Sequence, residues 1–291
     1  MRKFDYSFLN NGFLPASLVN LTSSIAALRT MAGVRREEHL RVFSELEAVA
    51  KIQSVKSSNA IEGIITSDAR IAEIVNQNSA PLNHSEREIA GYRDALNEIH
   101  LNYDYIDFRE SDILHLHEIM MSMAGYEFAG RYKTSDNYIL EEDAQGNRRI
   151  RFRPTPAAET KQAMEQLELA YMAARNDGNI NQLLLIPCVI LDFLCIHPFR
   201  DGNGRMSRLL SLLLLYKSGY DVGKYVSFEE QINRYKGYYY DALQQSSSTT
   251  GRFTWSASVS CASKPKASMI VSILSLSHIW NTSFPGDARL G

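Results

Sequence analysis

The chain has 291 residues, 45% of them hydrophobic and 22% charged, and a formal net charge of −2. That length buries a substantial core in one large domain or two smaller ones, and the near-neutral charge argues against a general affinity for nucleic acid or anionic membrane. The three cysteines, Cys188, Cys195 and Cys261, match no zinc-ligand spacing and no disulfide framework, which fits a reducing cytoplasmic setting.

The N-terminal stretch MRKFDYSFLNNGF has basic residues with no apolar run behind them and does not read as a signal peptide. Helical periodicity dominates the rest of the chain. Over 36–57 it places Leu40, Phe43, Leu46, Ala50 and Ile52 near one face. Residues 86–102 repeat the pattern through Ile89, Tyr92, Leu96 and Ile99. Residues 111–124 open with Ser111-Asp112 and carry Ile113, Leu116, Ile119, Met120 and Met123. On that segment His115 and His117 point to different faces, which disfavours a metal pair.

Residues 130–153 change character, with β-type residues on either side of a Gly-Asn turn, and predict a short hairpin. Thr155-Pro156 then starts a helix running to about Asn176, with proline at its first position. The apolar run Leu183–Ile196 is too short to span a bilayer and contains Pro187 and Asp192, so it predicts a buried helix. A further helix covers 205–218, closed by Gly219. Ser227-x-x-Glu230 is a capping box for a last helix reaching about Gln245. Residues 246–291 are Ser-rich with few charges and no sustained period. The fold class is mainly α-helical with one small hairpin.

The chemistry concentrates in HPFRDGNGRMSR, residues 197–208. Gly202-Asn203-Gly204 can take positive φ and turn successive N–H groups toward one point, as an anion nest. A helix starts immediately afterwards, so its free N–H groups and positive dipole end face the same spot. Arg205 and Arg208 are three apart and project from one face of its first turn, a pairing suited to several phosphates in a row. Asp201 is the lone carboxylate that Mg²⁺ prefers beside polyphosphate. His197 is the group able to take up a proton near neutral pH.

At every defined position this stretch resembles the signature of Fic-domain proteins, HxFx(D/E)GNGRxxR. The resemblance implies a mainly helical Fic fold, a helical bundle core with a β-hairpin flap over the active site. It implies transfer of AMP from Mg-ATP to a Ser, Thr or Tyr hydroxyl of a target protein. His197 would then deprotonate the hydroxyl and Asp201 would hold Mg²⁺. Gly202, Asn203 and Gly204 would cradle phosphates, with Arg205 and Arg208 binding further along. Upstream, Ser58-Asn-Ala-Ile-Glu62-Gly63 resembles the family's inhibitory motif (S/T)xxxE(G/N), and residues 10–63, including FLPASLV, resemble the N-terminal region that carries it. A carboxylate against Arg208 would occupy the place of the γ-phosphate.

In that family the target adds as a strand to the flap, which implies docking roles for Tyr132, Lys133, Asn137, Tyr138 and Ile139. Lys133 departs from the commoner glycine-x-tyrosine-arginine form. Tyr238 and Tyr239 either pack on the core or line the adenine side. The implied layout is an N-terminal helical region over 1–84, a catalytic core over 85–245 and a tail over 246–291, with no winged-helix module resembled there. The implied partners are ATP and a target protein, with no membrane and no nucleic acid; a homodimer is left open. Two alternatives stand beside the transferase: removal of AMP or another phosphotransfer on the same scaffold, and a nucleotide-binding regulator with little turnover.

Overall fold

The computed structural model describes residues 4–11, 16–142, 146 and 148–247. In chain order the elements are α1 (Phe8–Asn11), α2 (Ala16–Glu38), α3 (Leu40–Ile61), α4 (Asp68–Gln77), α5 (His84–Asn102) and α6 (Glu110–Ser122). The strands β1 (Ile139–Glu142) and β2 (Arg148–Phe152) come next, then α7 (Ala157–Asn176), α8 (Gln182–Ile196) and α9 (Asn203–Lys217). A 3₁₀ turn at Asp221–Lys224 leads to α10 (Phe228–Arg234) and α11 (Lys236–Ser247). Of the expected tail, 246 and 247 close α11 and 248–291 lie outside the described residues, as do 143–145 and 147 at the tip of the hairpin.

The centre of the molecule is α9. From Arg205 to Tyr216 every residue is buried, the pattern of a helix enclosed on all sides. It packs against α8, α5 and α3, while α7 covers α8 and α6 covers α5. Gly91 permits the last of these packings, since a β-carbon there would collide with the Met120 carbonyl. In α8 the polar Asp192 is satisfied by the Tyr6 hydroxyl, which donates to it at 2.8 Å, so an acid inside an apolar run costs little. Among the described residues no helix is long and apolar enough to cross a membrane.

Several expectations shift. The helix anticipated over 36–57 is split at His39 between the end of α2 and α3, and Leu40, expected on its buried face, is 69% exposed. The rest of α2 and the whole of α4 have no counterpart among the sequence expectations. The start expected at Ser111-Asp112 falls at Glu110, with Arg109 as its cap residue. Pro156 caps α7 rather than opening it. The first turn of α7 instead gains a partner from outside the helix, as Ala157 N donates to Asp136 Oδ1 at 2.7 Å. The single last helix breaks at Tyr235 into α10 and α11, which lets α11 lie across α8. The hairpin is present but shorter than 130–153, and residues 131–138 are irregular. Its register pairs Ile139 with Phe152 and Leu140 with Ile150, so Arg151 falls in a bulge.

Candidate active site

Helix α8 ends at His197, which takes the left-handed conformation at φ +52 while its N–H donates to Phe193 O at 2.9 Å. A non-glycine residue held there costs on the order of 1–3 kcal/mol and persists only where its surroundings over-determine it. The surroundings do so. Phe199 is fully buried and stacks on His117 at 3.7 Å between ring centroids. Asn203 closes the loop on itself: Phe199 N donates to Asn203 Oδ1 at 2.9 Å, and Asn203 Nδ2 donates to Phe199 O at 2.8 Å. His117 accepts from Gly130 N at Nδ1 (3.0 Å), which leaves Nε2–H to donate to Asp201 O at 3.1 Å.

Of the expected nest residues only Gly202 has positive φ, at +80. Asn203 and Gly204 already belong to the first turn of α9, because Gly202 O accepts from Met206 N at 2.8 Å and starts the helix. In place of a nest, the N–H groups here are those of a helix N-terminus, and the Asn203 side chain braces the loop.

The two arginines diverge. Arg208 is buried and reaches back to α3: Nε donates to Ser58 Oγ at 2.8 Å, and Nη2 donates to Ser58 O at 2.9 Å and to Glu62 Oε1 at 2.7 Å. Burial works against its charge, but the Glu62 carboxylate with the Tyr92 and Tyr239 hydroxyls outweighs that, and its pKa is raised. Ser58 lies in the last turns of α3, Glu62 caps the helix, and Gly63 turns the chain away at φ +79. Arg205 points elsewhere, with Nη1 2.8 Å from Glu88 Oε2 on α5 and Nη2 3.7 Å from Asp201 Oδ2. It is 1% exposed and does not line the cavity. The shared face implied by three-residue spacing is overridden by a carboxylate on a different helix.

Burial holds the His197 imidazole down at about 4, with Lys133 adding to the effect and the Leu194 carbonyl, Glu62 and Asp201 opposing it. His197 is thus neutral at pH 7. Its Nδ1 lies 3.3 Å from Leu194 O; with the proton on Nδ1, Nε2 keeps a free lone pair.

His197, Asp201, Gly202, Asn203, Gly204, Arg208 and Glu62 line one cavity of about 430 Å³. The same cavity is also lined by Leu191, Leu194 and Cys195 of α8, Ile139, Leu140 and Phe152 of the hairpin, and Tyr239, Tyr240 and Leu243 of α11, with Arg151 and Arg200 among them. Tyr239 is buried at the cavity wall, whereas Tyr238 is 69% exposed and turned away from it. Of the five residues expected on the flap, only Ile139 lies in a strand. Tyr138 is exposed beside it. Tyr132 is largely enclosed beneath Phe199, 5.8 Å between ring centroids. Lys133 and Asn137 lie under the 196–199 loop, hydrogen-bonded to its carbonyls.

His117, Tyr240 and the α8 wall are not evident from the sequence. Leu191, Leu194 and Cys195 recur at i, i+3 and i+4 just before His197, a face concealed by the uniformly apolar run around it. His117 shares the buried face of Leu116 and Met120, where a histidine reads as core.

The fold and the cavity define a mainly helical protein with a helix N-terminus, a neutral histidine and aromatic rings lining one pocket. Residues 105–215 match the Fic/DOC family, and the structure has the mainly helical Fic fold with its two-stranded antiparallel hairpin. It is 25% identical over 178 residues to a protein adenylyltransferase Fic of Nematostella vectensis, covering 59% of this chain and 39% of that one. A Fido domain-containing protein of Dictyostelium discoideum is 33% identical over 86 residues, 30% of this chain and 58% of its own. The chain thus spans less than two thirds of either relative. The crystal structure of a Fic family protein from Desulfovibrio desulfuricans superposes with a TM-score of 0.73 at 21% identity, covering 96% of this chain and 78% of that one.

Proposed function

We propose that the protein is a protein adenylyltransferase that transfers AMP from ATP to a hydroxyl of a target protein and is restrained by its own Glu62. The observation that carries this reading is the convergence of His197, Asp201 and Arg208 on one cavity that aromatic and apolar side chains also line. In the proposed pose the base lies between Tyr240 and the α8 wall, and the phosphates run toward the N–H groups of the first turn of α9. His197 Nε2 takes the proton as the target oxygen bonds to the α-phosphorus, and pyrophosphate leaves.

Asp201 fits a magnesium ion: its carboxylate lines the cavity, is 56% exposed, and is free of any short ion pair, with Arg205 at 3.7 Å. Mg²⁺ takes one or two carboxylates plus phosphate oxygens, and when bound it would neutralise charge on the transferring phosphates. His117 holds Asp201 in register by its backbone carbonyl, and Gly202 N donates to its Oδ1 at 2.6 Å. The restraint lies in Arg208, whose Nη2 is committed to Glu62 and therefore not available to a terminal phosphate until Glu62 moves. The target would present its hydroxyl by adding a strand to an unpaired edge of the hairpin. In this reading residues 1–84 carry the brake and 85–245 the catalytic unit.

One observation supports a second activity of the same site. Glu62 lines the cavity together with His197, which supports a role for its carboxylate in orienting water toward an AMP-modified target. α-Labelled ATP with Mg²⁺, offered to the wild type, Glu62→Gly and Glu62→Gly/His197→Ala with candidate proteins of a cell lysate, tests the main reading. Covalent label in Glu62→Gly that disappears in the double variant is the expected result. Label in none of the three, with ATP still bound, would refute it.

A further inference from the structure

Four consecutive carbonyls around His197 are held by one short segment that precedes the hairpin. Ile196 O accepts from Lys133 Nζ at 3.1 Å, and Pro198 O accepts from Lys133 N at 2.9 Å. Asn137 Nδ2 donates to His197 O at 3.4 Å and to Phe199 O at 3.0 Å. Lys133 Nζ also donates to Asn137 Oδ1 at 2.8 Å. That bond sets which end of the amide faces the loop, so the lysine orients the asparagine as well as gripping the chain itself. Lys133 is 5% exposed, and burial pulls its ammonium down to about 8. A charge kept there against that cost is accounted for by its two acceptors.

We propose that Lys133 and Asn137 are positioning residues that hold His197 in its left-handed conformation and so aim its imidazole into the cavity. Neither residue lines the cavity, so neither touches nucleotide. Without the clamp the residue at φ +52 is free to relax toward the broad negative-φ basin that non-glycine residues favour, carrying the ring with it. The consequence is selective. Loss of the clamp lowers turnover while leaving ATP affinity in place, because the α9 N-terminus, Arg208 and the aromatic slot are untouched.

The catalytic readout rests on the adenylyltransferase reading, so the test includes one measurement that does not. In the Glu62→Gly background, Lys133→Met, Lys133→Arg and Asn137→Ala are compared by turnover, by calorimetric Mg-ATP affinity, and by melting. The imidazole resonance of His197 is followed by NMR, assigned by its loss in His197→Gln. Lys133→Met is expected to lower turnover at least tenfold, keep ATP affinity within twofold and displace the His197 resonance. Lys133→Arg recovers most of the turnover, and Asn137→Ala behaves like Lys133→Met. Unchanged turnover with an unmoved resonance in Lys133→Met overturns the proposal, as does a fall in ATP affinity that accounts for the whole loss. If Glu62→Gly itself transfers no label, the functional reading has failed and the His197 resonance alone decides the clamp: displaced supports it, unmoved refutes it. If Lys133→Met does not fold, Asn137→Ala is judged by the same criteria.

Discussion

The Glu62 carboxylate oxygen that pairs with Arg208 occupies the space that a β-carbon on Gly204 would need. Glu62 and the first turn of α9 are therefore in direct steric contact. A carboxylate at a helix N-terminus is favoured by the dipole there, as a phosphate would be, so in the proposed function the two would compete for one place. The relationship makes Gly204→Ala an unusual substitution. In the wild type it forces Glu62 aside and is expected to destabilise the fold by about 1–3 kcal/mol, as small-to-large changes in packed sites do. In Glu62→Gly the obstacle is gone, and alanine in a helical turn is intrinsically better than glycine by up to about 1 kcal/mol. Melting or urea titration of the four proteins in the cycle should show that change of sign. Equal destabilisation in both backgrounds would mean that Glu62 is not the residue Gly204 accommodates.

Removing Glu62 should raise transfer. Its charge-assisted bond to Arg208 is worth on the order of 1.5–3 kcal/mol, which sets the gain in label incorporation at about tenfold to a hundredfold for Glu62→Gly. Glu62→Gln keeps the shape and loses the charge, so its gain should fall between. Initial rates with α-labelled ATP below saturation check the order. Equal rates for wild type and Glu62→Gly would remove the inhibitory role while leaving the site intact.

Three largely enclosed histidines predict a pH dependence of stability. His100, His117 and His197 each titrate at about 4 in the folded protein, all chiefly through burial, against about 6.5 when unfolded. Above pH 6.5 they are neutral in both states and the fold keeps its full stability. As pH falls from 6.5 toward 4, the unfolded chain binds protons that the folded one does not, and stability declines. Urea midpoints at pH 7, 6 and 5 should fall steadily. His117→Gln should reduce the slope between pH 6.5 and 5 by roughly one third, one of three equivalent groups. An unaltered slope would show that His117 is not held neutral.

The parts of the fold legible in the sequence are local. Ile89, Tyr92, Leu96 and Ile99 recur at helical spacing and are all fully buried, and the motif 197–208 carries its chemistry in consecutive residues. Helix α2 is not legible because its apolar residues do not keep one face: Val19, Met31 and Val34 are exposed while Leu18 and Ile25 are buried. Helix α4 does have a readable signal, a Ser67 cap accepting from Arg70 N at 3.3 Å and Ile71, Ile74 and Val75 buried at helical spacing. The remaining differences are long-range. Glu88 turns Arg205 away from Arg208 across more than a hundred residues of chain. The loop around residue 197 captures Lys133 and Asn137, and no spacing within 130–139 encodes that.

The same distinction separates the tyrosines of α11. Tyr238, Tyr239 and Tyr240 are consecutive, so a helix must point them in different directions. Tyr238 faces outward, whereas Tyr239 and Tyr240 line the cavity, 5.5 Å apart between ring centroids and steeply inclined. Arg151 in the hairpin bulge donates to Tyr240 O at 3.1 Å and ties β2 to α11 over the slot. A base stacked on an aromatic ring gains on the order of 1–3 kcal/mol. In the Glu62→Gly background Tyr240→Ala should therefore weaken Mg-ATP binding about tenfold to a hundredfold by calorimetry, and Tyr238→Ala should leave it unchanged. Tyr239→Ala should also lower the melting temperature, because that ring is buried. A Tyr240→Ala variant that binds ATP as tightly as its parent would place the base somewhere other than this slot.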